Sequence, residues 1–124
     1  MHTDKIRFSY NWNNKLQNKA FTTIRLHNPN KYKVGNVYEI EINDNQKGLA
    51  TLQDLRVLKI SQLNDFICYL DTGYSREQTI KMLQRMYKNV NVQTALFDFC
   101  LLVYNKPEIQ APKEIQMSLE LRQM

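Results

Sequence analysis

A chain of 124 residues has the length of one ordinary domain. Hydrophobic residues at 43% and charged residues at 23% give globular proportions and exclude wholesale disorder, while three Gly and three Pro exclude collagen-like and linker-rich designs. No apolar run approaches the roughly 18 residues of a membrane-spanning helix and the opening stretch lacks a signal-type core, so a soluble, cytoplasmic protein with no membrane role is expected.

The formal charge of +5 is unevenly placed. Residues 1–35 carry Lys5, Arg7, Lys15, Lys19, Arg25, Lys31 and Lys33 against Asp4 alone, and the rest of the chain is close to neutral. Gathered on one surface, these cations make a field that attracts phosphate; scattered, they are a solvated basic face. Cys68 and Cys100 form neither a disulfide framework nor a zinc set, and they suit a reducing compartment.

In chain order, Ile6, Phe8 and Tyr10 alternate with polar residues as in a half-buried strand. Trp12 and Leu16 then fall four apart, on one face of a short helix. Residues 21–26 (FTTIRL) are β-branched and aromatic, a second strand. The run from His27 to Asn30 is a loop, because Pro29 disfavours helix at Asn28. Residues 36–42 read as a third strand, and Asn43 to Gln46 supply hairpin chemistry. The return stretch, residues 48–60, changes the parity of its apolar positions, which predicts a bulge near Gln53 and Asp54.

Ser61 is the expected cap of a helix buried through Leu63, Phe66, Ile67 and Leu70, with Gly73 as its left-handed stop. Ser75 and Gln78 fit a capping box for a second helix, buried through Ile80, Leu83 and Tyr87. Residues 94–104 are apolar enough for a central strand. The sum is an α+β domain over residues 1–105, with two helices inserted before the last strand. Residues 106–124 form a tail, either mobile or a docked short helix.

Motifs of several chemistries are missing. HExxH, CxxC and histidine pairs at ligand spacing do not occur, so no metal centre is expected. No cofactor is expected either: the glycines are isolated and build no phosphate loop. His2 and His27 have no supporting motif, and His27 reads as an ordinary loop histidine.

Three blocks carry a resemblance: NKAFTTIRL at residues 18–26, YKVGNVYEI at 32–40 and DTGYSREQTIKMLQRMY at 71–87. In this order and spacing they resemble the ASCH family of the PUA-like superfamily over residues 5–104. That family shows a Gly-x-Lys-x-x-Thr-x-Arg signature, then a Val-Gly-Asp strand entry, then an Asp-Gly-Phe-Ser turn opening a helix. The resemblance implies a small mixed β-barrel flanked by helices, with a cleft that meets RNA or a nucleotide-like ligand. Some small bacterial members look like N4-acetylcytidine amidohydrolases, which use the signature lysine, the threonine and an acidic residue near the later turn.

Matched block by block, the threonine falls on Thr23, the arginine on Arg25 and the acidic residue on Asp71. The signature glycine becomes Asn18, and the lysine becomes Ala20. A hydroxyl nucleophile needs a base, and alanine supplies none; Lys19, one residue earlier, points to the opposite face of a regular strand.

The resulting expectation is an RNA- or nucleotide-binding module with a basic cleft edged by Lys19, Thr23, Arg25, Lys31, Lys33 and Asp71. Tyr32 and Tyr74, with Trp12, are candidate stacking platforms. Bland readings stand beside these. Thr23 is a strand former, Asp71 accepts backbone hydrogen bonds in its turn, Arg25 pairs with Asp71, and Trp12 with Leu16 pins the first helix. Two other functions stay open: an amidohydrolase using Thr23, Asp71 and Lys19, and a protein-interaction module built on the basic face and the tail.

Overall fold

A computed structural model describes residues 3–105; the expected tail therefore lies outside the described residues. Five strands form one sheet in the order β1-β3-β4-β5-β2: β1 Lys5–Phe8, β2 Ala20–Leu26, β3 Val37–Ile42, β4 Asn45–Lys59 and β5 Leu96–Tyr104. The β1–β3 pair is parallel and the other pairs are antiparallel. The sheet curls into a half-barrel, so the architecture is α+β and barrel-like. Its curvature brings the two outer strands together through their side chains: Phe8 of β1 and Phe21 of β2 meet edge to face at 6.0 Å.

Strand β4 makes this curl possible. Its first half pairs with β3 and its second half with β5. Between them the register jumps from Leu52–Leu102 to Asp54–Leu101, leaving Gln53 as the extra residue. That bulge is where the sequence places it, and it bends the strand between its two partners. A second irregularity, at Ile40/Glu41 opposite Gly48, was not legible from parity. The hairpin before it turns through Asn43 and Asp44, both left-handed, as short polar side chains allow.

Each face of the sheet buries its own core. Ile6, Phe8, Phe21, Tyr38, Ile40 and Leu52 fill the concave side. Ile24, Ile60, Leu63, Cys68, Leu83 and Phe97 pack under two helices, α1 (Asp65–Thr72) and α2 (Arg76–Met86). Strand β5 contributes to both cores, which explains its nearly continuous apolar sequence. The Ser75–Gln78 capping box and the left-handed Gly73 stop are formed as expected.

Three elements depart from the sequence reading. Strand β1 ends at Phe8, before Tyr10, which lies half exposed in the following bend. Residues Trp12–Gln17 make a kinked 3-10 segment and not a regular helix, because Asn13 and Asn14 adopt φ of 57° and 54°. Helix α1 is capped by Asn64, whose Oδ1 accepts from the Ile67 amide at 2.8 Å, and not by Ser61. The later start turns Cys68, Asp71 and Thr72 inward and leaves Phe66 and Leu70 exposed, so of the expected stripe only Leu63 and Ile67 reach the core. Among the described residues, no helix is long and apolar enough to cross a membrane.

Candidate functional site

Strand β2 is an edge strand, and its outer side faces α1 and the 3-10 segment instead of another strand. Covering an edge in this way blocks strand addition from outside. The cover is incomplete, and a cavity of about 400 Å³ opens beside the strand, lined among others by Phe8, Trp12, Lys15, Thr23, Arg25 and Asp71. That volume lies within the range of small-molecule sites, roughly 300–1,000 Å³.

Backbone groups reach this space as well. Odd-numbered residues of β2 and its flanks bond to β5, as His27 N–H to the Leu96 carbonyl and Tyr104 N–H to the Lys19 carbonyl show. Even-numbered residues therefore turn their N–H and C=O outward; the Leu26 N–H meets the Tyr87 hydroxyl there. Ile24, which lines the cavity, presents its backbone donor and acceptor on that same side.

Lys15 is the residue that sequence reasoning missed. The left-handed turn at Asn13 and Asn14 redirects the chain, and the Asn11 side chain fixes it by accepting from the Leu16 amide at 2.8 Å. Lys15 is thereby buried, with Nζ donating to Asp71 Oδ1 at 3.0 Å and to the Asp71 carbonyl at 2.9 Å. Burial pulls its pKa below the usual lysine value, Asp71 opposes that shift, and the Arg25 charge adds to it. Thr22 Oγ1 also donates to Asp71 Oδ1 at 2.8 Å, so this carboxylate joins helix, strand and 3-10 segment. Asp71 thus holds a buried amine, where the sequence offered turn hydrogen bonds or a pair with Arg25.

Arg25 is placed differently. Its guanidinium lies 4.5 Å from the Phe8 ring centroid, and Nε donates to Thr23 Oγ1 at 2.9 Å. Among the described residues no carboxylate pairs with it. Thr23 is buried; its hydroxyl accepts from Arg25 and keeps its own proton to donate. Glu41, on the cavity wall, takes Lys5 at 3.0 Å and Arg7 at 3.5 Å, two cations on one carboxylate.

Of the residues expected at the cleft, the structure brings Thr23, Arg25 and Asp71 together on one cavity. Tyr74 reaches its border by packing against Trp12, ring centroids 5.8 Å apart. Lys19, Lys31, Lys33 and Tyr32 do not line it. Lys19 stands where β2 begins, tied through its carbonyl to Tyr104. Lys31 and Lys33 sit on a loop anchored by the Tyr38 hydroxyl, which donates to the Lys31 carbonyl and accepts from the Lys33 amide. The Tyr32 ring packs against Tyr38, and burial pushes its hydroxyl pKa up to about 12. His27 has a partner the sequence did not reveal: Nδ1 is 2.7 Å from Asp98 Oδ1, and the other carboxylate oxygen accepts from the Asn28 amide. This pair fastens the loop after β2 away from the cavity. Among the described residues, no group of His, Cys, Asp and Glu is arranged to hold a metal ion.

No protein-family model matches the chain, and no curated protein or solved structure matches it either.

Proposed function

We propose that this protein is a ligand-binding module of ASCH, PUA-like type whose cavity receives a nucleobase of RNA or of a nucleotide. The observation that carries the reading is Arg25, a cation that among the described residues is tied to a neutral hydroxyl and an aromatic face at the wall of a nucleoside-sized cavity. A guanidinium so placed offers planar donors to a carbonyl or phosphate oxygen. The Ile24 backbone donor and acceptor match the edge of a base, and the Phe8 and Trp12 rings supply apolar surface. Titration of labelled single-stranded RNA at two salt concentrations tests this. Affinity falls as salt rises, and Arg25→Ala weakens it. Absence of binding at the lower salt overturns the reading.

A second reading is favoured by one further observation. The amidohydrolase-like motif lacks its lysine, because Ala20 stands at that position, yet Lys15 puts an amine on the same cavity as Thr23 and Asp71. Burial shifts that amine toward its neutral form, the form able to accept the Thr23 proton as the hydroxyl attacks an acyl carbon. Asp71 would hold Lys15 in position. Incubation with N4-acetylcytidine decides: turnover lost in both Thr23→Ala and Lys15→Ala supports hydrolysis, and no turnover in the unaltered protein retires it.

A further inference from the structure

Three aromatic rings stand in a row at the border of the cavity. Tyr10 and Trp12 meet edge to face at 4.7 Å, and Trp12 meets Tyr74 edge to face at 5.8 Å. Only Trp12 belongs to the cavity wall itself. Tyr10 is 56% exposed and Tyr74 is 38% exposed, so the row continues from the cavity into solvent. Edge-to-face contact leaves ring faces uncovered by their aromatic neighbours.

A polar contact links the two segments that carry the row. Asn13, next to Trp12, donates from its side-chain amide to the Tyr69 carbonyl at the end of α1. Gly73, beside Tyr74, lies next to that asparagine: a Cβ there would sit in ordinary contact, 3.4 Å from the Asn13 side chain. The loop bearing Tyr10 and Trp12 is thus fastened to the turn bearing Tyr74. Arg7 lines the same cavity as Trp12, with its side chain 70% exposed. It shares Glu41 with Lys5, and Asp44 also lines the cavity, so Arg7 is an exposed cation on a wall that carries both signs.

From these positions we infer that the ligand extends beyond the cavity: it is single-stranded nucleic acid, whose neighbouring base stacks on the Tyr10–Trp12–Tyr74 row while Arg7 meets the intervening phosphate. This rests on the nucleobase reading of the cavity and adds a second subsite to it. The chemistry is general, since every base has a flat π-face and stacking on an aromatic side chain contributes about 1–3 kcal/mol per base. A free nucleoside fills the cavity alone and gains nothing from the row.

The chain contains one tryptophan, so its fluorescence reports on this place directly. The four ribonucleoside 5′-monophosphates and the matching RNA homotrinucleotides are titrated into the full chain. At least one trinucleotide quenches Trp12 and binds about tenfold or more tighter than its monophosphate, as one stacked base implies. Tyr10→Ala and Tyr74→Ala each remove most of that advantage and leave monophosphate binding unchanged, whereas Tyr10→Phe and Tyr74→Phe keep it. Equal affinity for monophosphate and trinucleotide overturns the second subsite and spares the cavity reading. A full advantage retained in both alanine variants also overturns it. If no monophosphate and no trinucleotide binds, both readings fall.

Discussion

Lys15 Nζ and Asp71 Oδ1 lie 3.0 Å apart although 56 residues separate them in sequence, and both side chains are about 95% buried. This pair ties the 3-10 segment to the end of α1. A buried charge without its counterpart is costly, so Lys15→Met should destabilise the fold by about 3–5 kcal/mol. Asp71→Asn in that background removes the stranded charge while still accepting from Thr22. The double variant should therefore be more stable than Lys15→Met alone, as read by urea denaturation. A double variant weaker than the single one would show that the charges are not what couples these residues.

Arg25 makes two contacts that a lysine does not reproduce together: the flat approach to Phe8 and the Nε bond to Thr23. Arg25→Lys should leave the net charge unchanged yet lower affinity for a nucleotide roughly ten- to a hundredfold, the worth of one charge-assisted hydrogen bond. Isothermal titration beside a denaturation curve separates this loss from misfolding. Wild-type affinity in the lysine variant would mean that charge alone matters there.

Much of this arrangement was legible in the chain. The parity change at Gln53, the capping box at Ser75 and the stop at Gly73 are local properties, and local chemistry decides them. Thr23, Arg25 and Asp71 were found through motif order, and they do share a cavity. Lys15 was not found, because its place depends on two asparagines adopting left-handed angles that a helical i, i+4 reading of Trp12 and Leu16 passes over. The α1 face was half misjudged for a related reason: Leu63 and Ile67 reach the core, and Phe66 and Leu70 do not. Its inward side carries Asp71 and Thr72, polar residues that become buried only because Lys15, Thr22 and Thr79 arrive from elsewhere to satisfy them. Lys31 and Lys33 looked like cleft residues by charge, yet Tyr38 fixes their loop elsewhere.

Gly73 links the fold to the aromatic row. Its φ of 81° belongs to the left-handed region, and the Asn13 side chain lies in contact range of it. Gly73→Ala should cost about 1–2 kcal/mol from backbone strain. Because Tyr74 follows directly, the same change should also alter Trp12 emission before any ligand is added. A stability change without a spectral change would mean that the Trp12–Tyr74 contact does not depend on this turn.

Alkaline titration offers a test with opposing signs. Burial pushes the Cys100 thiol up from 9.0 to about 12, with the Asp98 charge adding to the shift, and it pushes the Tyr32 hydroxyl up from 10.0 to about 12. Both groups hold their protons longer folded than unfolded. The folded state then binds more protons between pH 9 and 12, and stability falls as pH rises, by up to about 1.4 kcal/mol per pH unit for each group. Lys15 acts the other way. Its pKa is lowered on folding, so between that value and 10.5 the unfolded chain binds the extra proton and stability rises with pH. Cys100→Ala should therefore make the decline above pH 9 shallower, and Lys15→Met should make it steeper. Urea midpoints at pH 8, 9 and 10 for the three proteins read this directly. A Lys15→Met curve parallel to wild type would mean that the buried amine keeps an ordinary lysine pKa, and its assignment as a proton acceptor for Thr23 would then fail.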